Sequence, residues 1–140
     1  MGVEHVYFCG LTPYPPTVND DRPPHVRETA RRQIAKTALG AEKSQASSRT
    51  DNIIDLLDNL KARGYQLIAL EQTDSAQPLA TLAIPAKVVL VVGSEITGVS
   101  QPVLQTVNQH TKIPMLGKKE SLNVTEAATA ALYHCRFGLL

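Results

Sequence analysis

The stretch VVLVVGSEITGVSQPVLQTV, Val88 to Val107, sets five apolar residues against a glycine-bounded loop and then a helix start. Five branched residues without alternation predict a strand covered on both faces, Lys87 to Val92, entered after Pro85. Gly93 and Gly98 let the loop backbone turn sharply and approach a ligand closely. Ser100 is placed to cap a short helix with Pro102 in its first turn and Val103, Leu104 and Val107 on its apolar face. The loop GSEITG is neither GxGxxG nor a Walker loop. Taken alone, a turn joining strand to helix accounts for it equally well.

Working outward, the same alternation recurs. Upstream, Ile53, Leu56, Leu57 and Leu60 recur at helical spacing, with Thr50 or Asp51 as cap. That helix ends on Lys61, Arg63 and Gly64, and YQLIAL (Tyr65 to Leu70) follows as a buried strand. Downstream, a strand is expected at Thr111 to Met115, then a Gly-Lys-Lys loop and a last helix, Asn123 to Phe137. Asn123 and Glu126 have capping-box spacing. Val124, Ala127, Ala128, Ala131 and Cys135 give that helix a flat, small-residue face on which another backbone could pack. Toward the N-terminus, Val3 to Cys9 reads as a strand and Gly10 to Pro24 as a stiff proline-rich loop. A helix is expected from Val26 to Leu39, with Ile34, Ala35, Ala38 and Leu39 on one side and Gly40 as the stop. The fold class is therefore α/β, a mostly parallel sheet flanked by helices, in one domain over residues 1–140. Ligands in such sheets sit beyond the carboxyl ends of strands, which singles out the loops Gly93 to Ser100 and Gly117 to Asn123.

Composition narrows the function classes. Net charge is only +1, yet Arg22, Arg27, Arg31, Arg32, Lys36 and Lys43 face only Glu28 and Glu42 within that segment. Such a patch suits a phosphate backbone, although charge alone fits a solvated helix face equally well. Aromatic residues make up 4% and Trp is absent, which argues against a surface that reads RNA by base stacking. The longest apolar run is far short of a membrane span, and MGVEHVYFCG has no secretory pattern, so the cytoplasm is expected. Cys9 and Cys135 lack metal-site spacing and are expected as buried, reduced thiols, with no metal bound.

Two long segments read together are more specific. VVGSEITGVSQPVL and IPMLGKKESLNVTEAATAALY, in this order, resemble motifs 2 and 3 of the SpoU (TrmH-like) RNA 2′-O-ribose methyltransferases of the SPOUT superfamily. GVEHVYFCGLTPYPP and KTALGAEKS resemble the same family, so the likeness spans nearly the whole chain. It implies a C-terminal trefoil knot, an exception to the rule against threaded chains. It implies S-adenosyl-L-methionine as methyl donor and S-adenosylhomocysteine as product, held largely by backbone groups. By match, Leu70, Gly93, Ile113, Met115, Ser121 and Leu122 are the donor positions. It further implies a tRNA or rRNA substrate and a homodimer, with the last helix and the Ser100–Val107 helix as interface elements. The six basic residues of the patch would contact RNA phosphates, and KTALGAE would line the RNA side of the pocket.

A ribose 2′-hydroxyl is a poor nucleophile, so it must be aligned with the methyl group and relieved of its proton. The family assigns this to an Arg in a first motif, Asn-x-Gly-x-x-x-Arg, a pattern that occurs nowhere in these 140 residues. Arg27, Arg31 and Arg32 lie on a different element and do not inherit that role. The catalytic candidates are then Asn123 and Glu95, as polar supports of the loop and the ribose. For Glu95 a structural role is favoured over a general base, since burying an unpaired charge is costly. In complete members a strand and the motif-1 helix precede GVEHVYFCG, so about 20–25 residues of that typical size are expected to be lacking. A second reading is a non-catalytic RNA-binding or assembly module that keeps the knot and the dimer.

Overall fold

In the computed structural model, which describes residues 1–138, strands and helices alternate along two compact units, residues 2–53 and residues from 54 onward. The first unit is a parallel strand pair, β1 (Val6–Cys9) and β2 (Ser47–Thr50), joined through helices α1 (Pro24–Ala38) and α2 (Ala41–Ser44). Pro24 starts α1 where a missing N–H costs nothing. β2 was not expected: SSRT has no apolar alternation, and its pairing with β1 alone makes it a strand. Leu39 corrects the reading of α1. It lies just past the helix at φ 51° and is 87% exposed, so it belongs to no apolar face. Among the described residues this unit contains no buried hydrophobic side chain.

The second unit carries the core. Helix α3 (Ile53–Ala62) buries Leu57 and Leu60. It closes on a left-handed Gly64 (φ 84°), with Gly64 N–H on the Lys61 carbonyl and Tyr65 N–H on the Leu60 carbonyl, a Schellman motif. Thr50 and Asp51 lie too far upstream to cap α3; Thr50 Oγ1 instead donates to the Asn52 carbonyl. Strands β3 (Gln66–Leu70), β4 (Gln77–Pro78), β5 (Val88–Val92) and β6 (Gln109–Lys112) form a wholly parallel sheet in the order β4-β6-β3-β5. β3 is central, and its Leu67, Ile68 and Ala69 are fully buried. β5 is one of the two edges of this sheet among the described residues. Only its Val91 is buried and Val92 is exposed, which corrects the expectation of a strand covered on both faces. β6 starts earlier than expected and stops at Lys112, so Ile113 and Met115 lie in the following loop.

Helix α4 (Gln101–Thr106) buries Val103, and Ser100 flanks it without a side-chain capping bond. Helix α5 (Val124–Phe137) lies over β3, β5 and the 3-10 turn Leu79–Thr81. Ala131 is fully buried there with Ile68, Leu79 and Leu82, and His134 Nε2 donates to the Leu82 carbonyl at 3.0 Å. Of the small-residue face, Ala131 packs within the unit, and Val124, Ala127, Ala128 and Cys135 are half-buried. Pairs such as Tyr133 and Phe137, 61% and 57% exposed, form the outward side. No described helix is long and apolar enough to cross a membrane.

Candidate functional site

Because β3, β5 and β6 run parallel, with Leu70 in register with both Val92 and Thr111, their carboxyl ends meet at one edge. Three loops leave from it: residues 71–76, 93–100 and 113–123. The middle loop closes on itself. Ser94 and Gly98 exchange backbone hydrogen bonds (3.3 and 3.0 Å), and Ser94 Oγ accepts from Thr97 N–H at 3.1 Å. A Cβ on Gly93 would fall onto the Gly98 carbonyl group and the Val99 nitrogen, so no side chain fits. Gly98 has φ 64°, a conformation that only glycine adopts freely. The glycines are thus required by backbone-on-backbone packing. The loop tip points outward, with Ile96 95% exposed.

The carboxylate supporting this loop is Glu71, which sequence reasoning missed. Its Oε2 accepts the Val99 N–H at 2.6 Å, and its Oε1 accepts the Gln72 N–H at 2.9 Å. Glu95, expected in that role, is exposed and makes no hydrogen bond or ion pair among the described residues. The signal was present as an acid immediately after the apolar run LIAL, beside the strand whose loop it holds. Gln72 extends the contact to the other neighbour, its Nε2 donating to the Ile113 carbonyl at 2.8 Å, and Lys112 Nζ donates back to the Thr73 carbonyl at 3.1 Å.

The structure brings Leu70, Gly93 and Ile113 to the three adjoining strand ends, each half-buried. Met115, Ser121 and Leu122 follow on the loop after β6; Met115 is half-buried and the other two are exposed. Asn123 caps α5, its Oδ1 accepting the Thr125 N–H at 2.9 Å. Glu126 returns no bond among the described residues, so the expected capping box is half-formed, and the Asn123 amide N–H groups remain available as donors. A surface groove of about 570 Å³ lies along Thr125, Glu126, Thr129, Ala130 and Tyr133, and it includes none of the expected donor positions.

The basic segment divides in two. Arg22 forms a bidentate pair with Asp20 (2.6 and 2.9 Å) and lies 3.7 Å over the Tyr14 ring. The Asp20 side chain is fully enclosed, and the Arg22 hydrogen bonds hold its carboxyl far below the usual carboxylate range. Arg27 is half-buried: Nη1 reaches the Asp20 carbonyl at 3.5 Å, and Nε is buried without a partner among the described residues. Arg31, Arg32, Lys36 and Lys43 are exposed. Arg31 and Arg32 pair with Glu28 at 2.7 and 3.9 Å, exposed contacts that are readily exchanged for others. Cys9 and Cys135 are free and half-buried, less enclosed than expected, and desolvation raises both thiol pKa values.

The model of the SpoU rRNA Methylase family matches residues 23–133. This chain belongs to that family. It is 30% identical over 105 residues to the tRNA (guanosine(18)-2′-O)-methyltransferase of Escherichia coli K12, covering 75% of this chain and 46% of the relative. To the protein of the same name from Aquifex aeolicus it is 31% identical over 97 residues, covering 69% and 46%. The chain thus spans less than half the length of these curated relatives. Among solved structures, the A. aeolicus TrmH/SpoU tRNA modifying enzyme superposes with a TM-score of 0.73 at 24% identity, covering 96% of this chain and 61% of that one. The AdoMet-bound rRNA methyltransferase from Sinorhizobium meliloti gives 0.75 at 21%, covering 99% and 48%. At such identities the likeness concerns the fold: a parallel α/β sheet flanked by helices, consistent with the knotted SpoU fold family.

Proposed function

We propose that the chain is an S-adenosyl-L-methionine-dependent RNA 2′-O-ribose methyltransferase acting on tRNA or rRNA. The observation that carries this is the joint presentation, at one sheet edge, of Leu70, Gly93 and Ile113, the second of them opening a loop whose backbone packing excludes side chains. A cradle built from backbone suits a ligand recognised by its edges and shape more than by its charge. The names of the E. coli and A. aeolicus relatives support the choice of RNA and of the 2′-oxygen. When bound, S-adenosyl-L-methionine supplies a methyl group on a sulfonium.

The chain's own residues would do the rest. Leu70, Gly93, Ile113, Met115, Ser121 and Leu122 would hold the donor. Asn123 would orient the ribose through its amide N–H groups at the positive end of α5. Glu95, exposed and unpaired among the described residues, would accept a hydrogen bond from substrate or from an arginine. Arg31, Arg32, Lys36 and Lys43 would meet phosphates, with Arg22 and Arg27 shaping the loop beneath them. Residues 1–140 would act as one SpoU-type domain, carrying the family's knot, in a cytoplasmic homodimer.

A second reading, an RNA-binding or assembly module, is favoured by one observation: Glu95, the acidic side chain of the Gly93–Gly98 loop, is exposed and has no partner among the described residues. Transfer of a labelled methyl group to total tRNA and rRNA, followed by nucleoside analysis, separates the two. Ribose 2′-O-methylation is expected. Donor binding with no transfer would select the module, and methylation on a base would contradict the proposal.

A further inference from the structure

We infer that Glu71 and Gln72 are positioning residues that set the spacing of the proposed donor site, an inference that rests on that site's assignment. They follow directly on Leu70, at the end of the central strand, and each reaches a different neighbour. Glu71 takes the Val99 N–H at 2.6 Å and so holds the loop that follows β5. Gln72 gives an N–H to the Ile113 carbonyl at 2.8 Å and so holds the chain leaving β6. Leu70, Gly93 and Ile113 are therefore joined by this dipeptide as well as by the sheet.

The contact with Glu71 is tight. A Cβ on Gly98 would collide with Oε2, so the carboxylate rests against the α-carbon as well as the adjoining N–H. Gly93 in turn packs on the backbone of Gly98 and Val99. A shift of the carboxylate is transmitted through two backbone contacts to Gly93, with no flexible side chain between to absorb it. An acceptor carrying a full charge makes the Val99 bond stronger than a neutral one.

Calorimetric titration with S-adenosylhomocysteine tests this, using the unaltered chain, Glu71→Gln, Glu71→Ala and Gln72→Ala, each checked for cooperative melting. Losing a hydrogen bond to a charged group and orphaning its partner is expected to weaken affinity about 10- to 100-fold in Glu71→Ala. Glu71→Gln keeps an oxygen for Val99 and should fall between. Gln72 is exposed, so Gln72→Ala should fold normally and bind more weakly. Hydrogen exchange without ligand adds a second readout: the Val99 amide should exchange faster in both Glu71 variants. Gly98→Ala should cost more affinity in the natural background than in the Glu71→Ala background, where its methyl meets no carboxylate. No binding by the unaltered chain overturns the donor site and this inference together. Binding by the unaltered chain with undiminished affinity in Glu71→Ala overturns the inference alone. So does tighter binding by Gln72→Ala, which would make its amide a competitor for the Ile113 carbonyl.

Discussion

Asp20 decides what two of the six basic residues do. Its enclosed carboxylate takes two hydrogen bonds from the Arg22 guanidinium, and its carbonyl takes one from Arg27, so both arginines are committed to the proline-rich loop. The depressed pKa gives this pair a definite pH signature. A group held below its unfolded value stabilises the fold above that value, and the stabilisation is lost as pH falls through the folded one. Melting temperature should therefore decline as pH drops below the ordinary 3.8. Asp20→Asn should melt lower at neutral pH and show a flatter decline in acid; an unchanged acid profile would remove Asp20 from the account.

Asn123 separates a cap from a catalytic group. Asn123→Ala should cost about 1 kcal/mol of stability, the usual price of a lost N-cap. Asn123→Asp keeps the acceptor and favours the helix dipole, so it should melt at or above the parent while losing the amide donors. If those donors hold the ribose, its methyl transfer falls although its fold does not; equal transfer would leave Asn123 as a cap alone. The two glutamates show the limit of reading residues in line. Glu95 sits inside a recognisable motif and Glu71 outside it, yet the hydrogen bond to Val99 spans 28 positions and depends on which strands are neighbours.

Elements were legible where their apolar residues repeat and illegible where pairing alone defines them. The α3 face (Leu57, Leu60) and the strand LIAL stand out in sequence because burial is written into them. β2 and the two-residue β4 are polar or too short to show a period, and tertiary pairing makes them strands. On β6 the polar QHTK is the strand and the apolar IPM is the loop, the reverse of what hydrophobicity suggests. Thr111 explains part of this: it is fully buried, but its hydroxyl donates to the Gln77 carbonyl at 3.1 Å. For α5, Ala131 is the residue of the small-residue face that packs into the core. Ala131→Leu should destabilise by about 1–3 kcal/mol through overpacking, measured by denaturant unfolding, whereas exposed Ala130→Leu should be nearly neutral. The proposed dimer would then use the outward face, and Tyr133→Lys should shift sedimentation toward monomer without lowering the melting temperature. An unchanged sedimentation profile would move the interface elsewhere.

At the scale of the whole molecule, the family and the sheet class were readable from two sequence motifs. The division of burial was not. Every buried hydrophobic residue among those described lies between Leu57 and Ala131, so the unit from residue 54 onward has a core and residues 2–53 have none of their own. Local opening tracks buried contact, so β1 and β2 amides should exchange well before those of Leu67 to Ala69. The same hydrogen-exchange experiment, repeated with saturating S-adenosylhomocysteine, bears most directly on the central claim that the three strand-end loops form the donor site. Protection is expected in residues 70–73, 93–99 and 113–123. Unchanged exchange in all three segments, or protection confined to others, would contradict it.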